Sequence, residues 1–315
     1  MLNKHDSVLL DRALGTDLGR FAEAKTDALA RLRGLSDRGL LEAPGRARFP
    51  PPPSGPGFLA ALERGRAARG LGVVAEYKRA SPSLGDINLA LSPEEAAREY
   101  ARADCVSVLT EEAHFKGELD FVRRAAAAGA GPILRKDFLF HPLQVLETAG
   151  TPASAVLLIV RLTPDPALLR ELAGLAINCG LEPVVEVHGP GELETARRSG
   201  ARLIQFNSRD LKSLKVDRRA ALNLAGGERP LPGEFFIAAS GVMSGSDLFE
   251  AAGAGFGAAL VGTALMSAEK PSGRLAGMLA ELGRLSGRGR LGGGPDGGHD
   301  GGGPEKRADA VNFVS

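Results

Sequence analysis

A chain of 315 residues, 43% of them hydrophobic, can bury one large core or two smaller ones. Its 39 Lys and Arg against 38 Asp and Glu leave a formal net charge of +1, without the basic excess that a nucleic-acid backbone demands. Two distant cysteines, Cys105 and Cys179, match no metal or redox spacing. No run approaches the ~18 apolar residues of a membrane helix. Acids at Asp6, Asp11 and Asp17 and the lack of an apolar secretory core predict a cytoplasmic protein.

Taken in chain order, residues 1–56 come first: a polar, Ala/Leu/Arg-rich helical extension closed by a proline-rich breaker. Leu14, Leu18 and Phe21, then Leu29 and Leu32, have helical spacing. The segment 49–56, with its run of prolines, is one that no helix or central strand can cross. Eight short apolar runs follow, at 73–78, 105–109, 132–136, 155–160, 183–187, 203–207, 235–240 and 258–262. They recur at roughly the length of one βα unit. Most are apolar throughout, as expected for strands covered on both faces. Helices separate them. Ser92-Pro93-Glu94-Glu95 spells a capping box with proline at the first helical position. Thr163-Pro164 predicts another helix start, and Gly150, Gly180, Gly200 and Gly253 offer left-handed caps. The sequence predicts an α/β fold, a single (β/α)8 barrel over 57–286, with a doubly wound open sheet as the structural alternative. Residues 287–315, rich in Gly, Asp, Pro and Arg, read as a tail outside the fold.

Barrel chemistry gathers at the C-terminal ends of the strands. Glu76 and Lys78 lie two apart on the first strand and so face one way. Lys136 ends the third strand, Glu186 lies near the end of the fifth, and Asn207 ends the sixth. Charges in apolar strands are costly unless paired, so each has a plain structural reading as a buried salt bridge. Two lysines and two glutamates at one barrel end point instead to proton chemistry. Ser240-Gly241 and Gly262-Thr263, after strands seven and eight, match the usual phosphate position, where glycine lets backbone N–H groups approach the anion.

These motifs are similar to those of the indole-3-glycerol-phosphate synthases. The resemblance is carried by Glu76-Tyr-Lys78-Arg-Ala-Ser81-Pro82-Ser83-Leu-Gly85, Ser107-Val-Leu-Thr110-Glu111 with Phe115 and Gly117, and Leu134-Arg-Lys136-Asp137-Phe138. It continues through Val185-Glu186-Val-His188, Asn207-Ser208-Arg209-Asp210-Leu211, Ser240-Gly241 and Val261-Gly262-Thr263-Ala-Leu-Met266, from about residue 57 to 285. The amphipathic N-terminal segment resembles the extra helix that the family places over its barrel mouth. The resemblance implies decarboxylating ring closure and dehydration of 1-(o-carboxyphenylamino)-1-deoxyribulose 5-phosphate in tryptophan biosynthesis, without metal or organic cofactor. It implies that Lys136 is the general acid for ring closure and Glu186 a proton acceptor or orienting carboxylate, with Glu76 and Lys78 acting in dehydration. It places Asn207 on a substrate hydroxyl, Ser81 and Arg209 at the anthranilate end, Phe115 and Phe138 against the aryl ring, and Ser240, Gly241, Gly262 and Thr263 at the phosphate. A phosphorylated small molecule is then the partner, with no nucleic acid or membrane, and compactness over 57–285 predicts a monomer.

Ala239 departs from the family, which has glutamate before Ser-Gly. That predicts reduced activity, or, as the alternative, a barrel that binds a phosphorylated ligand without turnover. Gln205 replaces a usual glycine and is expected to crowd the interior; Glu118, where serine often follows Gly117, would repel an anionic substrate. Phosphoribosylanthranilate isomerase would require a cysteine on strand one, and Cys105 on strand two reads as buried packing. A metal-dependent epimerase would require ligands converging on strand ends, a pattern that His5, His114, His141, His188 and His299 do not make.

Overall fold

The computed structural model describes residues 2–41, 57–209 and 217–291. Eight parallel strands close into a barrel: β1 (Gly72–Tyr77), β2 (Cys105–Leu109), β3 (Ile133–Lys136), β4 (Ala155–Ile159), β5 (Glu182–Val187), β6 (Leu203–Asn207), β7 (Phe235–Ala239) and β8 (Ala258–Val261). Each pairs with its neighbours in sequence, and β8 returns to β1. The closed barrel excludes the open sheet. A two-stranded hairpin, Ala80–Ser81 with Gly85–Asp86, follows β1 and has no counterpart among the expected strands.

Period-two alternation divides the core. On β1, Val73, Ala75 and Tyr77 pack outward in the cluster under the helices, while Val74 joins Leu134, Leu157, Val184, Ile237 and Leu260 inside the barrel. The helix Phe58–Arg69 closes the N-terminal end, inserting Phe58 and Leu62 into that interior. Cys105 lies beneath it, its Sγ 3.5 Å from the Phe58 carbonyl, and burial pushes its thiol well up in pKa. It packs, as expected, and is no nucleophile.

The capping box at Ser92 forms as spelled, with Glu95 N–H donating to Ser92 Oγ and Ser92 N–H to Glu95 Oε2, and opens the helix Pro93–Glu99. The helix after β4 starts later than Thr163-Pro164 suggests. It runs over Pro166–Asn178 with Asp165 as N-cap, while the Thr163 hydroxyl donates back to the Ile159 carbonyl. Gly180 and Gly200 have the left-handed φ expected of helix caps, at +72° and +80°. Gly150 does not, at −79°, and near Gly253 the left-handed residue is Gly255. The last helix, Pro271–Leu291, continues past residue 286. The proline-rich breaker, Asp210-Leu211 and residues 292–315 lie outside the described residues.

The N-terminal extension forms α1 (Lys4–Leu14), α2 (Gly19–Glu23) and α3 (Thr26–Ser36). Its apolar side, Leu10, Leu18, Phe21 and Leu29, joins Phe138, Phe140 and Ile159 at the C-terminal end of the barrel. Buried polar contacts fix this docking. Lys25 Nζ lies 2.7 Å from Asp137 Oδ1, both nearly inaccessible. Asp6, fully buried, accepts from Arg33 and from His141 Nε2 at 3.1 Å. His141 Nδ1 accepts the Leu143 N–H at the cap of Pro142–Ala149, so the ring proton belongs on Nε2. Among the described residues no helix is long and apolar enough to cross a membrane.

Candidate active site

The C-terminal strand ends and the extension enclose a cavity of about 350 Å³. All thirteen expected site residues line it: Glu76, Lys78, Ser81, Phe115, Lys136, Phe138, Glu186, Asn207, Arg209, Ser240, Gly241, Gly262 and Thr263. Strand phase explains the gathering. Glu76, Glu186 and Asn207 alternate inward with the interior residues below them, and the ladder sets Glu186 beside Gln205 and Asn207 beside Ala239.

Lys136 Nζ lies between two buried carboxylates, 3.8 Å from Glu76 Oε1 and 4.0 Å from Glu186 Oε2. Lys78 Nζ holds the other Glu76 oxygen at 2.8 Å. Burial alone would raise the Glu76 pKa, but Lys78, Lys136 and Arg209 more than reverse that, leaving it below the ordinary glutamate value. The salt bridge does form, and it faces the cavity. A Cβ on Gly262 would come within 2.2 Å of Glu76 Oε2, so the glycine that ends β8 also makes room for this carboxylate.

Asn207 organises the opposite side. Its Nδ2 donates to Glu186 Oε1 at 3.0 Å, and its Oδ1 accepts from Ser240 Oγ at 2.7 Å and the Arg209 N–H at 3.0 Å. Ser240 and Gly241 both take left-handed φ values, +68° and +75°, unusual for serine and natural for glycine. Arg209 Nη1 reaches Ser83 Oγ at 3.0 Å, and Ser83 lies 3.4 Å from Ser81 Oγ. The aromatic wall is a trio: Phe138 stacks on Phe21 at 3.9 Å and 3° interplanar angle, and Phe115 lies 6.1 Å from Phe138. The Glu111 carboxylate fixes the Phe115 loop by accepting the N–H groups of Ala113, His114 and Phe115.

The family model for indole-3-glycerol phosphate synthase matches residues 46–276. The chain belongs to the indole-3-glycerol phosphate synthase family. Two relatives of that name illustrate the similarity. The protein from Rhizorhabdus wittichii is 38% identical over 255 residues, 80% of this chain and 94% of its own length. That from Desulfosudis oleivorans is 41% identical over 214 residues, 67% of this chain and 80% of its own. A crystal structure of 3-hexulose-6-phosphate synthase superposes with a TM-score of 0.55 at 17% identity, over 67% of this chain and 99% of that one, which shows a shared barrel fold.

Three residues in or beside this cavity have roles that the sequence did not assign to them. Phe21 looked like one apolar position of a helix, yet it lines the cavity and stacks on Phe138. Asp137 lines the cavity, bridging Lys25 to Arg135 and accepting from Thr110 Oγ1 at 2.7 Å. Gln205 does fill the interior, but as a partner: its Nε2 donates to Glu186 Oε2 at 2.6 Å. The neighbouring carboxylate on β5 was the available signal, two ladder partners read as one unit.

Proposed function

We propose that this chain is an indole-3-glycerol phosphate synthase, converting 1-(o-carboxyphenylamino)-1-deoxyribulose 5-phosphate to indole-3-glycerol phosphate, CO2 and water. The observation that carries this reading is the Lys136 ammonium held between Glu76 and Glu186, with an aromatic wall on one side of the cavity and Ser240, Gly241, Gly262 and Thr263 on another. The aryl ring packs against Phe138, Phe115 and Phe21; Arg209 and Ser81 take its carboxylate. The phosphate accepts backbone N–H groups from the glycine-rich ends of β7 and β8. Lys136 protonates the ribulose carbonyl as the ring carbon attacks, and Glu186, aligned by Asn207 and Gln205, orients the amine and accepts a proton. Glu76 and Lys78 serve the loss of water. The same reading has the protein working as a cytoplasmic monomer.

Mixing the purified protein with the carboxyphenylamino-deoxyribulose phosphate and following indole absorbance and fluorescence tests the reading directly. Indole product supports it, and its absence overturns it. Phe21→Leu is expected to raise KM about threefold to tenfold with little change in kcat, since an aromatic contact is worth roughly 0.5–1.5 kcal/mol beyond area burial. A fall in kcat with KM unchanged would place the aryl group elsewhere.

Ala239, where the family has glutamate, ends β7 beside Asn207, lines the cavity and is buried. The acid, the carboxylates and the glycines persist around it, so it tunes activity. Ala239→Glu supplies an acceptor for a substrate hydroxyl or for a lysine, and kcat/KM is expected to rise about tenfold, the scale of one charge-assisted hydrogen bond. No gain, or a loss, sinks that account.

A further inference from the structure

His188 follows β5 by one residue, and no step above uses it. Its side chain is 2% exposed and stands between two carboxylates. Nε2 is 3.5 Å from Glu186 Oε1 and Nδ1 is 3.4 Å from Glu192 Oε2, yet neither nitrogen makes a hydrogen bond among the described residues. Two buried ring nitrogens that each face a carboxylate at 3.4–3.5 Å without hydrogen-bond geometry are costly to keep if the ring only fills space. Glu192, on the helix Pro190–Arg198, is held by Arg161 Nε at 2.7 Å and by the His188 N–H at 2.8 Å. Unlike His188, Glu192 and Arg161 are partly exposed, at 21% and 24%.

A second cavity of about 220 Å³ lies on this outer side, bordered by Arg161, His188 and Asp217. It shares Asn207 and Arg209 with the main cavity. The charged groups around His188 are therefore Glu186 from β5, Glu192 with Arg161 behind it, and Arg209 and Asp217 across the second cavity. On the inner side Glu186 meets Lys136 at 4.0 Å. Glu192, His188, Glu186 and Lys136 form a file of proton-carrying groups from a partly exposed carboxylate to the proposed acid, with gaps of 3.4, 3.5 and 4.0 Å.

The proposed reaction has a use for such a file. The ring carbon bonds to the carbonyl carbon and the carbonyl oxygen takes one proton. The carboxylate leaves as CO2, its bonding electron pair restoring the aromatic ring. The new hydroxyl takes a second proton and departs as water, and one proton is released as the double bond forms. Two protons enter and one leaves, so each turnover consumes one proton from solvent, which has to reach Lys136 before the next turnover.

We infer that His188 is a proton-relay residue, returning that proton from Glu192 through Glu186 to Lys136 between turnovers. Small ring movements bring each nitrogen in turn within bonding distance of its carboxylate, and imidazole can accept on one nitrogen while donating from the other. The inference rests on the synthase reading of the site.

The test is rapid mixing of the full chain with excess carboxyphenylamino-deoxyribulose phosphate, resolving the first equivalent of indole from later ones. In His188→Gln, which retains a polar side chain but cannot relay, the first turnover is expected to stay within about twofold of the unmodified protein. Steady-state turnover is expected to fall roughly tenfold or more, the lower range for a lost proton-transfer group, and to recover in part with added imidazole. Glu192→Gln, at a partly exposed position, is expected to give the same split and covers the case in which His188→Gln does not fold. First and later turnovers falling together without imidazole rescue, or neither changing, would overturn the relay while leaving the synthase reading intact. Absence of indole from the unmodified protein would overturn the synthase reading itself.

Discussion

Asp137→Asn is expected to lower the unfolding free energy at neutral pH by about 3–5 kcal/mol, the usual cost of removing one partner from a buried ion pair. Asp137 is nearly inaccessible and faces Lys25 at 2.7 Å and Arg135 at 3.3 Å, so losing its charge takes a carboxylate from two buried cations, of which Arg135 keeps Glu147 at 3.1 Å. Adding Lys25→Met removes one of them and is expected to recover part of the loss, a coupling that a double-mutant cycle in urea would measure. pH gives a second check. Burial would raise the Asp137 pKa, but Lys25, Arg135 and Thr110 outweigh it and leave it below the ordinary 3.8. A carboxyl depressed on folding contributes stability that is fully present above its unfolded pKa and lost as pH falls through the folded one. Protonated Asp137 resembles asparagine, so the gap between the two proteins is expected to close as pH drops below about 3.8. A gap that is constant with pH would mean that packing, and not charge, holds the extension to the barrel.

Strand positions were legible because a strand covered on both faces is written as an unbroken apolar run, and all eight lie within about one residue of expectation. Nine of the thirteen expected site residues were legible for a related reason, while Ser81, Phe115, Phe138 and Arg209 were implied only by the family resemblance. A charge at the end of such a run is conspicuous, and barrel closure brings all the strand ends to one rim. What depended on local competition was less legible. Two X-Pro steps stand after β4, and Asp165-Pro166 captured the helix start because the Thr163 hydroxyl bonds back to β4. The Ala80–Asp86 hairpin is too short for alternation to register. Least legible were contacts between distant segments. Nothing near Phe21 or Lys25 in sequence announces Phe138 and Asp137, which only docking of the extension supplies. Gln205 fills the interior as expected, but its bond was not legible because its partner, Glu186, lies on another strand and becomes adjacent through the ladder.

Lys136→Ala is expected to lower kcat/KM by about 10²–10⁴, the range for removing a general acid from the reacting atoms, which corresponds to roughly 3–5 kcal/mol of barrier. The loss should appear chiefly in kcat. The aromatic wall and the glycine-rich strand ends that are proposed to bind the two ends of the substrate make no contact that depends on the ammonium. The fold should also tolerate the change, since Glu76 keeps Lys78 at 2.8 Å and Glu186 keeps the amides of Gln205 and Asn207 at 2.6 and 3.0 Å. Lys136→Arg separates the two things an ammonium can do. Guanidinium preserves the positive charge between Glu76 and Glu186 but does not surrender its proton at accessible pH. If Lys136 acts by proton donation, the arginine variant is expected to bind substrate and remain as slow as the alanine variant within about tenfold. Near-normal turnover with arginine would show that a fixed charge suffices at this position, and the proton for the carbonyl would have to come from elsewhere, with Lys78, which shares the Glu76 carboxylate and lines the same cavity, a remaining donor.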